Sequence, residues 1–280
     1  MEIKQRGNAF GYKILLILYK TIGYSFVVFI LNFVVLYYTL FYPSIKKSLR
    51  SYYEYQGLDF TYKIYFTHIK MFAISIFDRF VSRIRPSDLS FDRHNLDVLK
   101  VLDNGGIILL SHVGSWATAA HCLGYRLPTM NIVMRENTKE KIKQVEHSNE
   151  KHNDDIVKII DLNQGGIVAN IQIANALMAK ELIAMMADRV VDSSKVVEVE
   201  FFGAKVKINK NPFDIAKRMN KPAVAIFVIN KDLKKYDLFF NEIKGDTLQE
   251  MAQNYMKVLE NILRENPMQW YNFYDFFKIV

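Results

Sequence analysis

The chain has 280 residues, of which 50% are hydrophobic, and a formal net charge of +8. This length allows one large domain, or one domain with an appendage, built around a sizeable core. Its single cysteine, Cys122, excludes an internal disulfide, suits a reducing compartment and is interpreted as a buried structural thiol.

The first fifty residues carry many basic side chains, and Glu2 is their only acid. This asymmetry predicts contact with an anionic membrane surface or an acidic partner. We do not expect nucleic acid as a partner, because these basic residues flank an apolar block and form no groove-reading motif. The basic residues are Lys4, Arg6, Lys13, Lys20, Lys46, Lys47 and Arg50.

Residues 21–45 include no charged side chain, and the run is long enough to cross a bilayer core of about 30 Å. Aromatic residues near position 40 are typical of a membrane interface. The segment is too long for a cleavable signal peptide. It is predicted either to span the membrane or to lie in it as a hydrophobic platform, and the alternative is a buried helix of a soluble protein.

Residues 52–84 have apolar side chains at helical spacing and are predicted to form one or two amphipathic helices. Within them, Asp78 and Arg79 are interpreted as surface or helix-terminal charges. The Arg-Pro-Ser-Asp sequence at 85–88 breaks the helix. We therefore predict an N-terminal membrane-associating helical region over 1–86 and an α/β domain over 87–280.

The segment 103–122 has the pattern of a turn, a buried strand and a helix. Residues 103–106 form a turn signal, residues 107–110 are an unbroken apolar run, and Ser115 is a suitable N-cap for a helix after Gly114. His112 then follows the carboxyl end of the strand, where open α/β sheets bind ligands and a histidine can transfer protons. The alternative is a capped core histidine at a strand end.

The rest of the chain alternates predicted strands and helices. Strands are expected at 130–134, 158–162 and 181–187, with Arg135 after the second buried strand and Asp188 and Arg189 after the third. A hairpin at 196–208, a helix at 211–219, strands at 222–229 and 236–243, and a long helix capped by Asp246 follow. The aromatic tail 267–277 is expected to pack on the core or to touch lipid.

The polar segment 137–152 is predicted to be a solvated helix. His147 and His152, with Asp154 and Asp155 after them, raise the possibility of a metal site. Their spacing does not match a helical ligand face, and neither an HExxH nor a CxxC motif is present. We therefore expect no metal.

His112-Val-Gly-Ser-Trp, followed by small residues, resembles the first signature of the glycerolipid and lipid A-type acyltransferases, which is His, four residues and then Asp or Glu. Further similar blocks follow in the same order and cover most of the chain: Arg135, 187–189, 201–203, Asn211-Pro212 and 266–270. The resemblance implies an α/β fold with a mixed central sheet sandwiched by helices and an N-terminal hydrophobic membrane segment. It also implies a place at the bacterial cytoplasmic (inner) membrane, with the catalytic domain facing the cytoplasm.

The implied reaction moves a fatty acyl group from a thioester, on acyl carrier protein or coenzyme A, to a hydroxyl or amine of a glycolipid, lipid A precursor or aminolipid. The chain lacks a Gly-x-Ser-x-Gly motif, so no nucleophilic serine is indicated and the acceptor would attack directly. His112 would be the general base, and no cofactor is expected beyond the thioester co-substrate. A basic chain would also attract acyl carrier protein, which is acidic.

The resemblance also implies roles for the remaining site residues. Gly114 and Ser115 would stabilise the oxyanion or hold a phosphate at a helix N-terminus. Arg135 would bind a phosphate or fix the acceptor. Asp188 and Arg189 would shape the site, with a structural ion pair as the alternative.

Ala117 stands where the signature has its carboxylate, which in the family orients the histidine. Three explanations are open: a deliberate alteration that traps substrate, a replacement carboxylate from Glu136 or Asp188, or a protein that binds lipid without acylating it. His121, one turn further on, would be a poor orienting group. The sequence predicts that Ala117→Glu raises acyl transfer sharply.

Two other function classes compete with the membrane acyltransferase. The first is a non-catalytic lipid-binding or scaffold protein that keeps the fold. The second is a soluble esterase, which the missing nucleophile motif disfavours. The sequence leaves the acceptor lipid, the acyl chain length and the oligomeric state open.

Overall fold

The computed structural model describes residues 9–119, 127–135, 157–190 and 192–278. Several sequence predictions concern residues outside these ranges. They are the basic residues before position 9, the roles of His121, Cys122 and Glu136, and the polar helix and disfavoured metal site at 137–155.

A seven-stranded sheet forms the centre of the described fold, in the order β1-β9-β8-β2-β5-β3-β4. A separate antiparallel hairpin pairs β6 with β7. The strands are β1 (Ser90–His94), β2 (Gly106–Leu110), β3 (Met130–Met134), β4 (Val157–Asp161), β5 (Leu182–Met186), β6 (Val196–Phe201), β7 (Ala204–Asn209), β8 (Ala223–Asp232) and β9 (Lys235–Glu242).

Most of this sheet is parallel. Five neighbouring strands run in one direction: β8, β2, β5, β3 and β4. Strand β9 is antiparallel to β8, and β1 is parallel to β9. Every residue of β2 is buried, as expected for a central parallel strand that is covered on both faces. The mixed, helix-flanked sheet confirms the predicted α/β fold.

Helices cover both faces of the sheet. Ile108 and Leu110 of β2 face a core that α2 and the second half of α4 complete. Ile107 and Leu109 face the opposite core, which includes α6, α7 and α8. The helices are α1 (Ala9–Thr21), α2 (Tyr24–Phe41), α3 (Pro43–Tyr55), α4 (Tyr62–Ile84), α5 (Trp116–Ala119), α6 (Gly166–Met178), α7 (Asn211–Arg218) and α8 (Leu248–Glu265).

The helix α2 is the candidate membrane segment. Its 18 residues have a mean hydropathy of 1.9, and 33% of them are buried inside the protein. At 1.5 Å per residue it is about 27 Å long, close to the thickness of a bilayer core. One face packs on the protein, while the other exposes Phe29, Phe33, Leu36, Tyr37, Leu40 and Phe41.

The structure corrects two local predictions and adds one strand that was not predicted. Asp78 is not a surface charge: it is fully buried and accepts hydrogen bonds from Tyr24 and Tyr236. The last helix is capped by the Thr247 side chain, which accepts from Glu250 N, and not by Asp246. Strand β1 was not predicted, because four of its five residues are exposed and its sequence lacks an apolar run. The division at residue 86 stays a prediction.

Candidate active site

The pairing of β2 with β5 brings His112 and Asp188 together. These adjacent parallel strands have Leu110 in register with Met186, and each candidate residue lies two positions further on. Ala187 N donates to Leu110 O, so the pairing continues past the end of both strands. Two residues 76 positions apart in the chain therefore meet at the carboxyl edge of the sheet.

The His112 ring is held by a hydrogen bond to a buried carboxylate. Its Nδ1 lies 2.9 Å from Asp188 Oδ1, and the His112 main-chain N–H donates to Asp188 Oδ2 at 2.8 Å. The histidine side chain is 21% exposed, whereas the aspartate side chain is 0% exposed. The imidazole thus reaches the surface while its partner does not, which is the arrangement of an oriented general base.

Three N–H groups surround the second oxygen of Asp188. Besides His112 N, the indole Nε1 of Trp270 donates to Oδ2 at 3.0 Å and Asn272 Nδ2 donates at 3.4 Å. Burial raises the pKa of Asp188, but the charge and hydrogen bonds of His112, with the Trp270 bond, outweigh it and lower that pKa below its usual value. An ionised Asp188 only accepts, so Nδ1 of His112 is the donor, and in the neutral tautomer of the ring Nε2 offers its lone pair.

Main-chain bonds hold the segment that follows His112 on two sides. Gly114 N donates to Gln269 O and Ser115 N to Val228 O, each at 2.8 Å. Tyr271 N donates to His112 O at 2.7 Å. Gly114 has a φ of +58°, and a Cβ there would overlap the Val228 carbonyl, so only glycine fits at this position.

These bonds change what was expected of Gly114 and Ser115. The helix N-terminus near these residues was predicted to stabilise an oxyanion or hold a phosphate, and the N–H groups of Gly114 and Ser115 themselves donate to main-chain carbonyls. The Ser115 side chain is buried and its hydroxyl accepts from no main-chain N–H of the described residues, so it does not act as the predicted N-cap. The two residues pack closely against Val228 and Gln269 and hold the main chain that follows His112.

The two arginines lie in different surroundings. Arg135 directly follows β3, at the same sheet edge as Asp188, and is exposed. Arg189 donates from Nη2 to Asn272 Oδ1 at 2.9 Å, and its guanidinium lies 5.3 Å from the centre of the Tyr274 ring. Asn272, not Asp188, is therefore the hydrogen-bond partner of Arg189, which does not match the predicted ion pair.

Ala117 lies on α5 and is partly exposed. The structure brings Asp188, one of the two replacement carboxylates that the sequence suggested, to the Nδ1 of His112. Glu136, the other, is outside the described residues. Asp188 is thus already hydrogen-bonded to the ring nitrogen that a signature carboxylate would orient.

The sequence predicted that the aromatic tail 267–277 packs on the core or touches lipid, but it assigned no role at the site to residues 267–272, which we call the C-terminal strap. It supplies Gln269 O, Tyr271 N, the Trp270 indole and the Asn272 amide to the residues around His112. The only signal was the Asn266 to Trp270 block of the resemblance, which carries no residue-by-residue role. Within the described ranges no group of three or more His, Cys, Asp or Glu side chains is arranged to hold a metal ion.

The model of one protein family, described as bacterial lipid A biosynthesis acyltransferase, matches residues 61–279 of the chain. The match covers more than half of the sequence and includes His112, Asp188 and the C-terminal strap. No curated protein matches the chain.

Proposed function

The chain belongs to the bacterial lipid A biosynthesis acyltransferase family, and we propose that it transfers a fatty acyl group from a thioester to a hydroxyl or amine of a membrane glycolipid, lipid A precursor or aminolipid. The family supports acyl transfer to a lipid-like acceptor in general. The observation that carries the finer proposal is the hydrogen bond between His112 Nδ1 and the buried Asp188. It leaves Nε2, the second nitrogen of a ring that is 21% exposed, outside the bond to the carboxylate at the sheet edge.

In the proposed mechanism, Nε2 of His112 removes the proton of the acceptor O–H or N–H as that atom attacks the thioester carbonyl. A tetrahedral oxyanion forms, and then its C–S bond breaks. The leaving sulfur of coenzyme A or acyl carrier protein takes the proton from His112 and departs as a thiol, and an ester or amide is released. No cofactor is needed, because the thioester is already activated.

In this proposal, Asp188 does the work of the signature carboxylate, which position 117 does not supply because it is an alanine. Two features support it: the 2.9 Å bond to Nδ1 and the three N–H groups that hold the other oxygen. A carboxylate held in this way fixes the tautomer of the ring and stabilises the imidazolium that forms during attack. The chain would then be an active enzyme despite the alanine.

Arg135 is the proposed contact for a phosphate or another anionic group of the acceptor, since it is exposed at the same edge of the sheet. Arg189 takes part indirectly, because its bond to Asn272 holds a residue that touches Asp188. Gly114 and Ser115 would hold the main chain next to His112 in place beneath the substrate. A proposed donor carrier, acyl carrier protein or coenzyme A, is negatively charged and complements the net charge of +8.

Membrane association is supported by α2 and its surroundings. Helix α1 also exposes apolar side chains, those of Phe10, Ile14 and Ile17. Lys47 and Arg50 of α3 are exposed just beyond the end of α2. Since one face of α2 packs on the protein, we favour a helix that lies in the inner membrane as a platform, with the α/β domain in the cytoplasm.

The alternative is a lipid-binding or scaffold protein without activity. The test is incubation of the purified protein with radiolabelled acyl-CoA or acyl carrier protein and a lipid A precursor in mixed micelles, with lipid products separated by chromatography. Wild type should form acylated lipid, and His112→Gln should reduce turnover by about 10²-fold or more. Lipid binding by wild type with no acyl transfer from either donor would support the scaffold instead.

A further inference from the structure

His68 is a buried histidine outside the proposed machinery. It lies on α4 and is 0% exposed, with its Nδ1 2.9 Å from the Tyr53 hydroxyl and its Nε2 2.9 Å from the Trp270 carbonyl oxygen. A carbonyl only accepts, so Nε2 carries the proton and Nδ1 accepts from Tyr53. Burial lowers the pKa of His68 to about 4, so the ring is neutral at physiological pH.

The residue that His68 holds also contacts the proposed catalytic pair. Trp270 accepts from His68 through its main-chain oxygen and donates to Asp188 Oδ2 through its indole nitrogen at 3.0 Å. Asp188 in turn bonds to the His112 ring. A continuous chain of hydrogen bonds therefore runs from α3 and α4 to His112.

A second contact from α3 supports the same segment. The Tyr52 hydroxyl donates to Pro267 O at 3.0 Å, and its ring centre lies 4.9 Å from that of Trp270. The C-terminal strap is thus held from the helices at its first residue and at Trp270. An apolar side chain at position 68 would fill the space but would leave the Trp270 carbonyl without this buried donor.

We propose that His68, with Tyr53, is a positioning residue: it fixes the main chain at Trp270 so that the indole N–H reaches Asp188 and Asp188 orients His112. The expected effect of His68 on the rate of acyl transfer rests on the proposed function. Its expected effect on the position of the Trp270 indole does not. It gives the helices that precede the α/β domain a part in building the site, besides any contact with lipid.

Three variants test the proposal. His68→Leu removes both ring nitrogens at similar volume, while His68→Gln keeps an N–H near the position of Nε2. Tyr65→Phe is the matched control, because Tyr65 is equally buried on the same helix and its hydroxyl bonds to Tyr42 O, away from the C-terminal strap. The chain has 2 tryptophans, so Trp116→Phe identifies the indole N–H signal of Trp270 in a ¹H–¹⁵N spectrum.

We expect His68→Leu to shift the Trp270 indole signal and to speed its hydrogen exchange. The kcat for acyl-CoA should fall by about 10- to 100-fold, with KM changed less than about threefold. His68→Gln should restore the indole signal and most of kcat, and Tyr65→Phe should change neither. If His68→Leu does not fold, Tyr53→Phe removes the hydroxyl that bonds to His68 Nδ1 at 2.9 Å and to Pro267 O at 3.4 Å, and it should shift the indole signal in the same direction.

An unchanged indole signal and kcat in His68→Leu, or equal losses in Tyr65→Phe, would overturn the positioning role. A wild type that transfers no acyl group would contradict the proposed function instead. In that case the indole signal alone still decides whether His68 positions Trp270.

Discussion

Trp270 and Asp188, 82 positions apart, are joined by a buried hydrogen bond of 3.0 Å from the indole nitrogen to the carboxylate. Because this bond and the His112 main chain hold Oδ2, the other oxygen is directed at the imidazole. The orientation of the proposed base is therefore set by a strand neighbour and by the C-terminal strap, and not by the helix that follows the histidine.

The first prediction concerns Gly114. Gly114→Ala should lower kcat by about 10²-fold, because a Cβ at a φ of +58° meets the Val228 carbonyl and must displace the segment next to His112. Gly203→Ala is the control, since Gly203 also has a positive φ, +75°, but nothing lies within 4 Å of its Cβ position. That control should lose about 1–2 kcal/mol of stability and keep its activity.

Steady-state kinetics and denaturant midpoints measure both effects. Full activity in Gly114→Ala would show that the close approach to Val228 is not needed at the site.

The second prediction concerns the pH dependence of stability at Asp78. Burial raises the pKa of this carboxyl to about 6, against the lowering effect of the Tyr236 and Tyr24 hydrogen bonds, and Oδ1 has no partner. The folded protein thus binds this proton more tightly than the unfolded chain does. Its stabilising contribution is complete below the unfolded pKa of 3.8 and is lost as the pH rises through about 6.

Asp78→Asn removes the buried charge while its amide oxygen can still accept from the tyrosines. At pH 8 the variant should be more stable than wild type by on the order of 2 kcal/mol, and the gain should vanish near pH 4. Urea unfolding at both pH values measures the difference.

Asp237→Asn is a control for which we expect the opposite effect on stability at pH 8. Burial raises the pKa of Asp237, but Lys231 at 2.7 Å and His94 outweigh this effect and lower that pKa. Its contribution is present above the unfolded pKa and is lost as the pH falls, so this variant should be destabilised at pH 8. Equal stability changes for Asp78→Asn at pH 8 and pH 4 would exclude a buried charge at position 78.

The third prediction concerns membrane contact. Phe29 and Phe33 of α2 are 55% and 57% exposed, and replacing both by Glu should weaken binding to vesicles that contain anionic lipid by at least about tenfold. Ile167→Glu with Ile171→Glu on α6 is the matched control, because those side chains are 79% and 56% exposed on another helix. Vesicle flotation measures both pairs, and equal losses in the two pairs would contradict a specific role for α2.

Much of the fold was predictable because the buried parallel strands have unbroken apolar runs. Strands β2, β3 and β5 and the hairpin were found close to their observed bounds, and the block around His112 indicated the family. Strand β1 was missed because its pairing with β9 depends on tertiary contact and not on an apolar pattern of its own.

The sequence narrowed the carboxylate that could orient His112 to two candidates, but it did not select one of them. Asp188 and Glu136 both follow predicted strands, and the neighbouring positions of β2 and β5 in the sheet are what place Asp188 at Nδ1. The burial of Asp78 was missed for a related reason. Its hydroxyl partners, Tyr24 and Tyr236, come from distant parts of the chain, and nothing in the local pattern of α4 indicates them.

The fourth prediction tests the central claim, that Asp188 and not position 117 orients the base. The sequence alone predicted a sharp gain from Ala117→Glu, but with Nδ1 of His112 already bonded to Asp188 we expect that variant to stay within about threefold of wild type. Asp188→Asn should lower kcat by about 10²- to 10⁴-fold, because an amide can stabilise the wrong tautomer of the ring.

The most direct measurement is therefore kcat for acyl transfer from radiolabelled acyl-CoA or acyl carrier protein in wild type, Asp188→Asn and Ala117→Glu, with folding of each verified by its denaturant midpoint. We predict a large loss in Asp188→Asn and little change in Ala117→Glu. A folded Asp188→Asn variant with wild-type kcat, or a sharp rise in Ala117→Glu, would contradict the orienting role of Asp188.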